Sequence, residues 1–312
     1  MGIATNQQVQ VSIKKPVKRR NFKLRKYKLS HICFILPALL LNLIFFVYPF
    51  IKSFIMSFYK WPIMGESTFI GLTNYLNLLK DGTFWSSLWF TAKYTLIVTP
   101  ALFLVGFILA LLINNRLRAT SFFRSVYFMP VVISMVSCSL MWLWIYNDLY
   151  GMLNYYLLKF HIINEPIVWM GQASTSLPAI SFMITWKMAG FTMVILLSGL
   201  QSISEEVYEA AKTDGASKWQ QILYITIPLL KPSIGLSLVI SVIGSVLAFE
   251  QFLVMTHGGP SNSTTTVVHH IYNTSFKYFN LGYGSAMTFI LLVILIIFSV
   301  FQVKMMRDPA GN

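Results

Sequence analysis

Carboxylates are nearly missing from the long apolar stretches of this chain: no aspartate interrupts them, and Glu250 is the one glutamate that does. Only 11% of the 312 residues are charged, against 56% that are hydrophobic, and the mean hydropathy is +0.64. Soluble domains carry about 25% charged residues, so this composition is that of an integral membrane protein. Cysteine is scarce as well. Cys33 and Cys138 both fall in apolar runs, so no disulfide framework is readable and packing is their expected role. The phosphate-loop pattern GxxxxGK[ST] is absent, so the chain is not expected to hydrolyse nucleotides. An intramembrane enzyme would need a serine and histidine, or two aspartates, facing each other within the spans, and none is assigned. His269-His270 lacks a spaced carboxylate or cysteine partner, so it reads as outer surface and no metal ligands or catalytic residues are named.

Positive charge is abundant, with a net charge of +14, and its placement follows membrane topology rather than any nucleic-acid-binding module. Residues 1–30 carry nine lysines and arginines and no acid, as expected of a cytoplasmic tail that touches anionic lipid. The following apolar run is too long for a signal peptide and lacks a small-residue cleavage site, so it is expected to stay in the membrane. Six spans are expected, at residues 31–58, 89–113, 126–146, 176–200, 232–256 and 284–306, with a tail at 307–312. Pro37 and Pro49 suggest kinks in the first span, and Tyr59 and Trp61 an interfacial belt after it. Seventeen of the 24 basic residues, Arg116, Arg118 and Arg124 among them, then fall on inner segments and six on outer flanks. Both termini are therefore expected on the cytoplasmic side.

Within this apolar chain, residues 202–232 form a polar island that holds four of the ten acidic residues. Ser202-x-x-Glu205 is a capping-box pattern that predicts a helix start, with Val207, Ala210 and Ala211 at helical spacing behind it. Gly215 suits the left-handed turn that ends a helix, and Ser217-x-x-Gln220 offers a second box, so the prediction is helix, sharp turn, helix. Alanines at 210 and 211 leave a shallow surface for a partner to press into, and Pro228 and Pro232 mark the exit, with Pro232 opening the fifth span.

Glu209-Ala210-Ala211, then Asp214-Gly215, then Ile225-x-Ile227-Pro228 resembles the EAA loop of the membrane subunits of ATP-binding-cassette (ABC) importers, with Ile227 where that pattern usually has leucine. Met255-Thr256-His257-Gly258-Gly259-Pro260 with Gly282-Tyr283-Gly284-Ser285-Ala286, and Phe122-Phe123-Arg124 with Met129-Pro130, resemble maltose-transporter-type permeases of the carbohydrate uptake family, oligosaccharide branch. The likeness covers residues 31–306. It differs from the enteric maltose subunit, whose extra leading spans and large outer domain have no room here. The resemblance implies an all-α membrane protein with the six-helix type I ABC importer permease fold, residues 31–306 forming the permease domain and 202–232 its coupling loop. It implies half of a sugar translocation pathway, shared with a second permease in a heterodimer and driven by two cytosolic ABC ATPase subunits that hold the ATP and Mg. An extracytoplasmic sugar-binding protein would deliver a di- or oligosaccharide. The chain itself would carry no cofactor.

On that reading Glu209, Ala210, Ala211, Asp214 and Gly215 dock the ATPase, and Gly258, Gly259 and Pro260 meet the binding protein. A sugar needs polar groups for its hydroxyls and aromatic rings for its apolar face. The spans flanking the island offer Trp186, Lys187 and Phe191 on one side and Ser241, Ser245, Glu250 and Gln251 on the other. Charges within a span face a bundle interior or a watery cavity, so Lys187 and Glu250 either contact substrate or pair with each other. The alternatives are an ABC permease for a non-sugar solute and an ion-coupled secondary transporter; the second would usually show repeated halves, and no internal repeat is seen.

Overall fold

A helical run opens the part of the chain that the computed structural model describes, residues 29–114 and 120–306. Residues 1–28 of the basic tail, Arg116 and Arg118, and the tail from 307 lie outside the described residues, as does the side chain of Cys33. Helix α1 (Leu29–Asn42) passes through a wide π-turn, Leu43–Val47, into α2 (Tyr48–Met56). The chain divides into two compact units, one up to Phe50 and one from Ile51.

In the second unit a two-stranded antiparallel ribbon, β1 (Tyr59–Lys60) with β2 (Thr68–Phe69), pairs Tyr59 with Phe69. Helix α3 (Thr73–Leu79) precedes α4 (Gly82–Ile113), which begins well before the expected Trp89. Its start is set by Asp81, whose carboxylate accepts the backbone N–H groups of Thr83 and Phe84 at 2.9 and 3.1 Å, satisfying donors that a helix start leaves open.

The third span departs most from the hydropathy reading. Helices α5 (Thr120–Val132) and α6 (Met135–Ile145) meet at 95°, so the apolar run is broken within its length. Helix α7 (Met152–Lys159) follows, then α8 (Ala173–Gln201), which packs along both α4 and α5. At Gly190 the backbones of α8 and α5 are nearly in contact: a Cβ there would sit 2.1 Å from the Tyr127 carbonyl oxygen. Apolar lipid gives helices little hydrophobic reason to associate, so such small-residue approaches carry much of the packing.

The polar island folds as α9 (Glu205–Thr213) and α10 (Lys218–Gln221). The latter continues through a second π-turn, Ile222–Thr226, into α11 (Ile227–Val246), so Pro232 lies inside a helix rather than opening the span. Proline sits at the same place after each of these π-turns: Pro49 follows Leu43–Val47 by one intervening residue, and Pro228 follows Ile222–Thr226 likewise. The proline ring clashes with the carbonyl four residues back, and a wide turn moves that carbonyl aside. Helices α12 (Glu250–Met255) and α13 (Val267–Tyr272), a third π-turn at Asn273–Lys277 and α14 (Leu281–Met306) complete the chain.

Among the described residues five helices are long and apolar enough to cross a membrane, or six if the bent α5–α6 pair is one span. The core of the second unit has three buried clusters. One gathers Tyr94, Cys138, Trp142, Met183 and Phe252, one Ala110, Met193, Leu196 and Leu230, and one Leu78, Phe84, Val267 and Met287. Cys138 is a free, buried thiol.

Candidate functional site

The island between α8 and α11 is a built structure. Helix α8 extends to Gln201, so Ser202 is its C-terminal cap and donates its hydroxyl to Gly199 O at 2.7 Å. The N-cap of α9 is Ser204, which accepts from Glu206 N at 3.3 Å, so the capping box expected at Ser202 is not formed. The second box is present: Gln220 N donates to the Ser217 hydroxyl and Ser217 N to Gln220 Oε1, at 3.3 and 2.7 Å. Between the two helices Gly215 takes φ of +80°, the left-handed conformation that a side chain resists. Ala216 N closes back onto Ala211 O at 2.9 Å.

The Tyr208–Thr226 contact ties α9 to the base of α11, and two further hydrogen bonds brace the turn, α10 and the π-turn internally. The Tyr208 hydroxyl lies 3.0 Å from Thr226 Oγ1, Gln221 donates to Ala216 O at 2.9 Å, and Thr226 donates to Gln221 O at 3.2 Å. Tyr208 is on α9 and Thr226 is the last residue of the π-turn. Glu209, Ala210, Asp214 and Gly215 are exposed, whereas Ala211 is buried, so Ala210 and Ala211 do not share one open face. Sequence reasoning missed the apolar part of this surface: Val207, Trp219, Leu223 and Tyr224 are exposed, Trp219 and Tyr224 to 74% and 76%. Their signal is large apolar residues inside a segment too polar to enter the bilayer. A cleft of about 710 Å³, lined by Asn114, Gln201, Tyr208, Lys212 and Lys218, lies between this pair and the ends of α4 and α8.

The residues proposed for a sugar do not converge as a set. Trp186 is partly exposed and its ring meets Trp142 edge to face at 5.6 Å, and Phe182, one turn earlier on α8, meets Trp142 at 5.7 Å. Phe191 and Ser241 are half-buried, and Ser245 is buried. Gln251 is buried and donates to the Tyr94 hydroxyl at 3.2 Å, while Glu250 beside it is exposed. Lys187 is buried and turns to backbone: its ammonium donates to Pro130 O at 3.2 Å, Val131 O at 3.1 Å and, closest, Ile133 O. Glu250 lies within electrostatic reach of Lys187 without forming an ion pair.

On the outer loop threonines hold the Gly-Gly-Pro turn. Thr264 donates to Thr256 Oγ1 and to Gly259 O at 2.8 and 2.7 Å, and Thr266 donates to Ala248 O at 2.7 Å. The Gly259-Pro260 bond is cis. Gly258 is buried and Gly259 half-buried, leaving Pro260, Ser261 and Asn262 as the exposed tip. His269, expected on the surface, is buried under this loop and its Nδ1 has no hydrogen-bond partner among the described residues. Burial holds its pKa below the usual histidine value, and the neighbouring His257, Lys277 and His270 push the same way.

Known proteins agree with this architecture. The family described as binding-protein-dependent transport system inner membrane component matches residues 102–307. The lactose transport system permease protein LacF of Rhizobium radiobacter is 33% identical over 288 residues, covering 91% of this chain and 96% of that one. The arabinooligosaccharides transport system permease protein AraP of Bacillus subtilis is 33% identical, covering 89% of each. The trehalose/maltose transport system permease protein MalF of Thermococcus litoralis is 32% identical, covering 91% and 96%. Among solved structures, a chain of the bacterial ABC transporter that imports the acidic polysaccharide alginate superposes with a TM-score of 0.79 at 23% identity, covering 90% of this chain and 96% of that one, and shares the fold. The match over residues 102–307, with relatives 32–33% identical along 89–91% of its length, makes this chain a member of the binding-protein-dependent transport system inner membrane component family.

Proposed function

We propose that this multi-pass protein of the plasma membrane is one of two permease subunits of an ATP-driven importer of di- or oligosaccharides. The observation that carries the reading is the exposed α9–α10 pair, tied through Tyr208 and Thr226 to a helix that runs without interruption into the membrane. A load applied to α9 at Glu209 is passed to α11 rather than absorbed in a slack loop. The relatives named for lactose, arabino-oligosaccharide and trehalose/maltose transport support a sugar as cargo.

In the mechanism that follows, two cytosolic ATPases holding ATP and Mg close together and draw the docking helices with them. Glu209, Ala210, Asp214, Gly215 and the underlying Ala211 form the contact. The rings of Trp219 and Tyr224 extend it. Movement of α11 against α8 and α4 opens the pathway between this chain and a second permease toward the outside. Sugar then passes from a binding protein seated on the loop around Gly258, Gly259 and Pro260. Of the residues proposed for sugar, the exposed Trp186 and Glu250 are the ones open to such a path, with Phe191 and Ser241 half-buried, Ser245 buried, and Gln251 steadying Tyr94. Lys187 stands apart, since three carbonyls occupy its ammonium.

Uptake into vesicles is the test. Sugar accumulation is expected only with the ATPase subunits, ATP and the loaded binding protein present; accumulation that persists without them and collapses with the ion gradient would make this an ion-coupled carrier. A sugar panel bound to the cognate binding protein identifies the cargo.

A further inference from the structure

The break in the third span leaves helix-end carbonyls inside an apolar run, where hydrocarbon offers them no donor and the protein must supply one. Helix α5 ends at Val132, and Lys187 Nζ donates to Pro130 O, Val131 O and Ile133 O around that end. Lys187 lies midway between the ends of α8, so no route to the membrane surface is open to its side chain. One turn further along the same helix, Gly190 lets the two backbones close to near contact, which brings the ammonium within reach of the three oxygens. The negative end of the α5 dipole points at the same place.

Carbonyls of an interrupted membrane helix gathered around a positive charge are the arrangement by which carriers hold a metal cation. We propose that Lys187 is a tethered cation: its ammonium fills a monovalent-cation site formed by Pro130, Val131 and Ile133 and fixes the 95° break between α5 and α6, so that this element needs no mobile ion. Lys187 is a positioning residue and does not touch cargo. Among the described residues the Cys138 thiol and Glu250 are the titratable groups within electrostatic reach of it, and neither replaces a carbonyl as a hydrogen-bond partner. The inference rests on this chain's own fold and stands independently of the cargo and of ATPase coupling.

The test is chemical rescue, read as melting temperature of the full-length chain purified with its co-expressed partner subunits in lipid nanodiscs. K187A is expected to lose several degrees relative to the unsubstituted protein and to regain most of them with n-propylammonium, which matches the deleted atoms and supplies N–H donors. Tetramethylammonium, equally charged and without a donor, is expected to restore nothing. K187A is also expected to become sensitive to the exchange of Na⁺ for choline, to which the unsubstituted protein is indifferent. Rescue by neither amine, or equal rescue by both, overturns the proposal. If K187A cannot be purified, recovery of K187R and K187M decides: K187R recovered well and K187M lost supports a cation site, whereas equal recovery of the two, at any level, overturns it.

Discussion

The Tyr283 hydroxyl donates to Asp81 Oδ2 at 2.9 Å, joining the first turn of α14 to the residue that caps α4, with 202 positions of sequence between them. The imidazole of His270 lies 3.6 Å from the same oxygen. Burial alone would raise the Asp81 pKa; the Tyr283 hydroxyl, the Phe84 and Thr83 N–H groups and His270 outweigh it and hold the carboxyl below its ordinary value. The carboxylate therefore favours the folded state above its unfolded pKa, and the contribution fades as pH falls through the lower folded value. Tyr283→Phe is expected to cost about 1 kcal/mol, and Asp81→Ala, which also removes the cap, about 1–2 kcal/mol. Thermal melts of the two variants and of the double variant give the coupling, and additive losses would show the bond to be idle.

Glu209 is exposed on α9, so reversing its charge has little to disturb within the chain. Glu209→Lys is expected to leave insertion and melting temperature unchanged while lowering the amount of ATPase that co-purifies. Undiminished co-purification with full transport would remove Glu209 from the docking surface.

At Gly190 a Cβ would meet the Tyr127 carbonyl oxygen at 2.1 Å, and the nearby atoms are backbone, which cannot swing aside. Gly190→Ala is expected to force α8 and α5 apart at a cost of about 1–3 kcal/mol, read as a lower melting temperature and reduced recovery. A variant as stable as the parent would show that the two helices separate freely.

His269 is buried and its pKa is held down, so the protein binds this proton more weakly folded than unfolded. Its contribution is complete above the ordinary value of 6.5 and is lost as pH falls below that, down to the folded pKa. Outer-loop stability, followed by hydrogen exchange over α13, is expected to decline in that acidic window. His269→Gln is expected to flatten the decline; an unchanged profile would show that the decline does not come from His269.

Much of this was legible from residue types. Gly215 and the Ser217–Gln220 box mark the turn and second helix of the polar island because both signals are local, requiring only the backbone around them. Ser202 misled because two serines precede Glu205 at different spacings, and only the length of α8 decides which one caps. The 95° break left no trace in hydropathy, since apolar residues continue across it, and its stabilising group, Lys187, lies 54 positions away from Ile133. Candidate sugar contacts were drawn from residue chemistry alone, which cannot tell that Gln251 faces Tyr94 and Lys187 faces carbonyls while Glu250 stays open. Pro228 and Pro232 read as the exit of the loop, with Pro232 opening the fifth span, because proline suits a helix start; here the helix begins earlier and a π-turn and neighbouring helices accommodate both.

The unbroken course from Lys218 through the π-turn to Val246 gives the protein a lever arm. At 1.5 Å per residue it is about 43 Å long, so tilting its cytoplasmic foot by about 10° sweeps the far end through about 8 Å. On the proposed function, leverage of that size would turn a small displacement at α9 into a gap wide enough for a sugar ring.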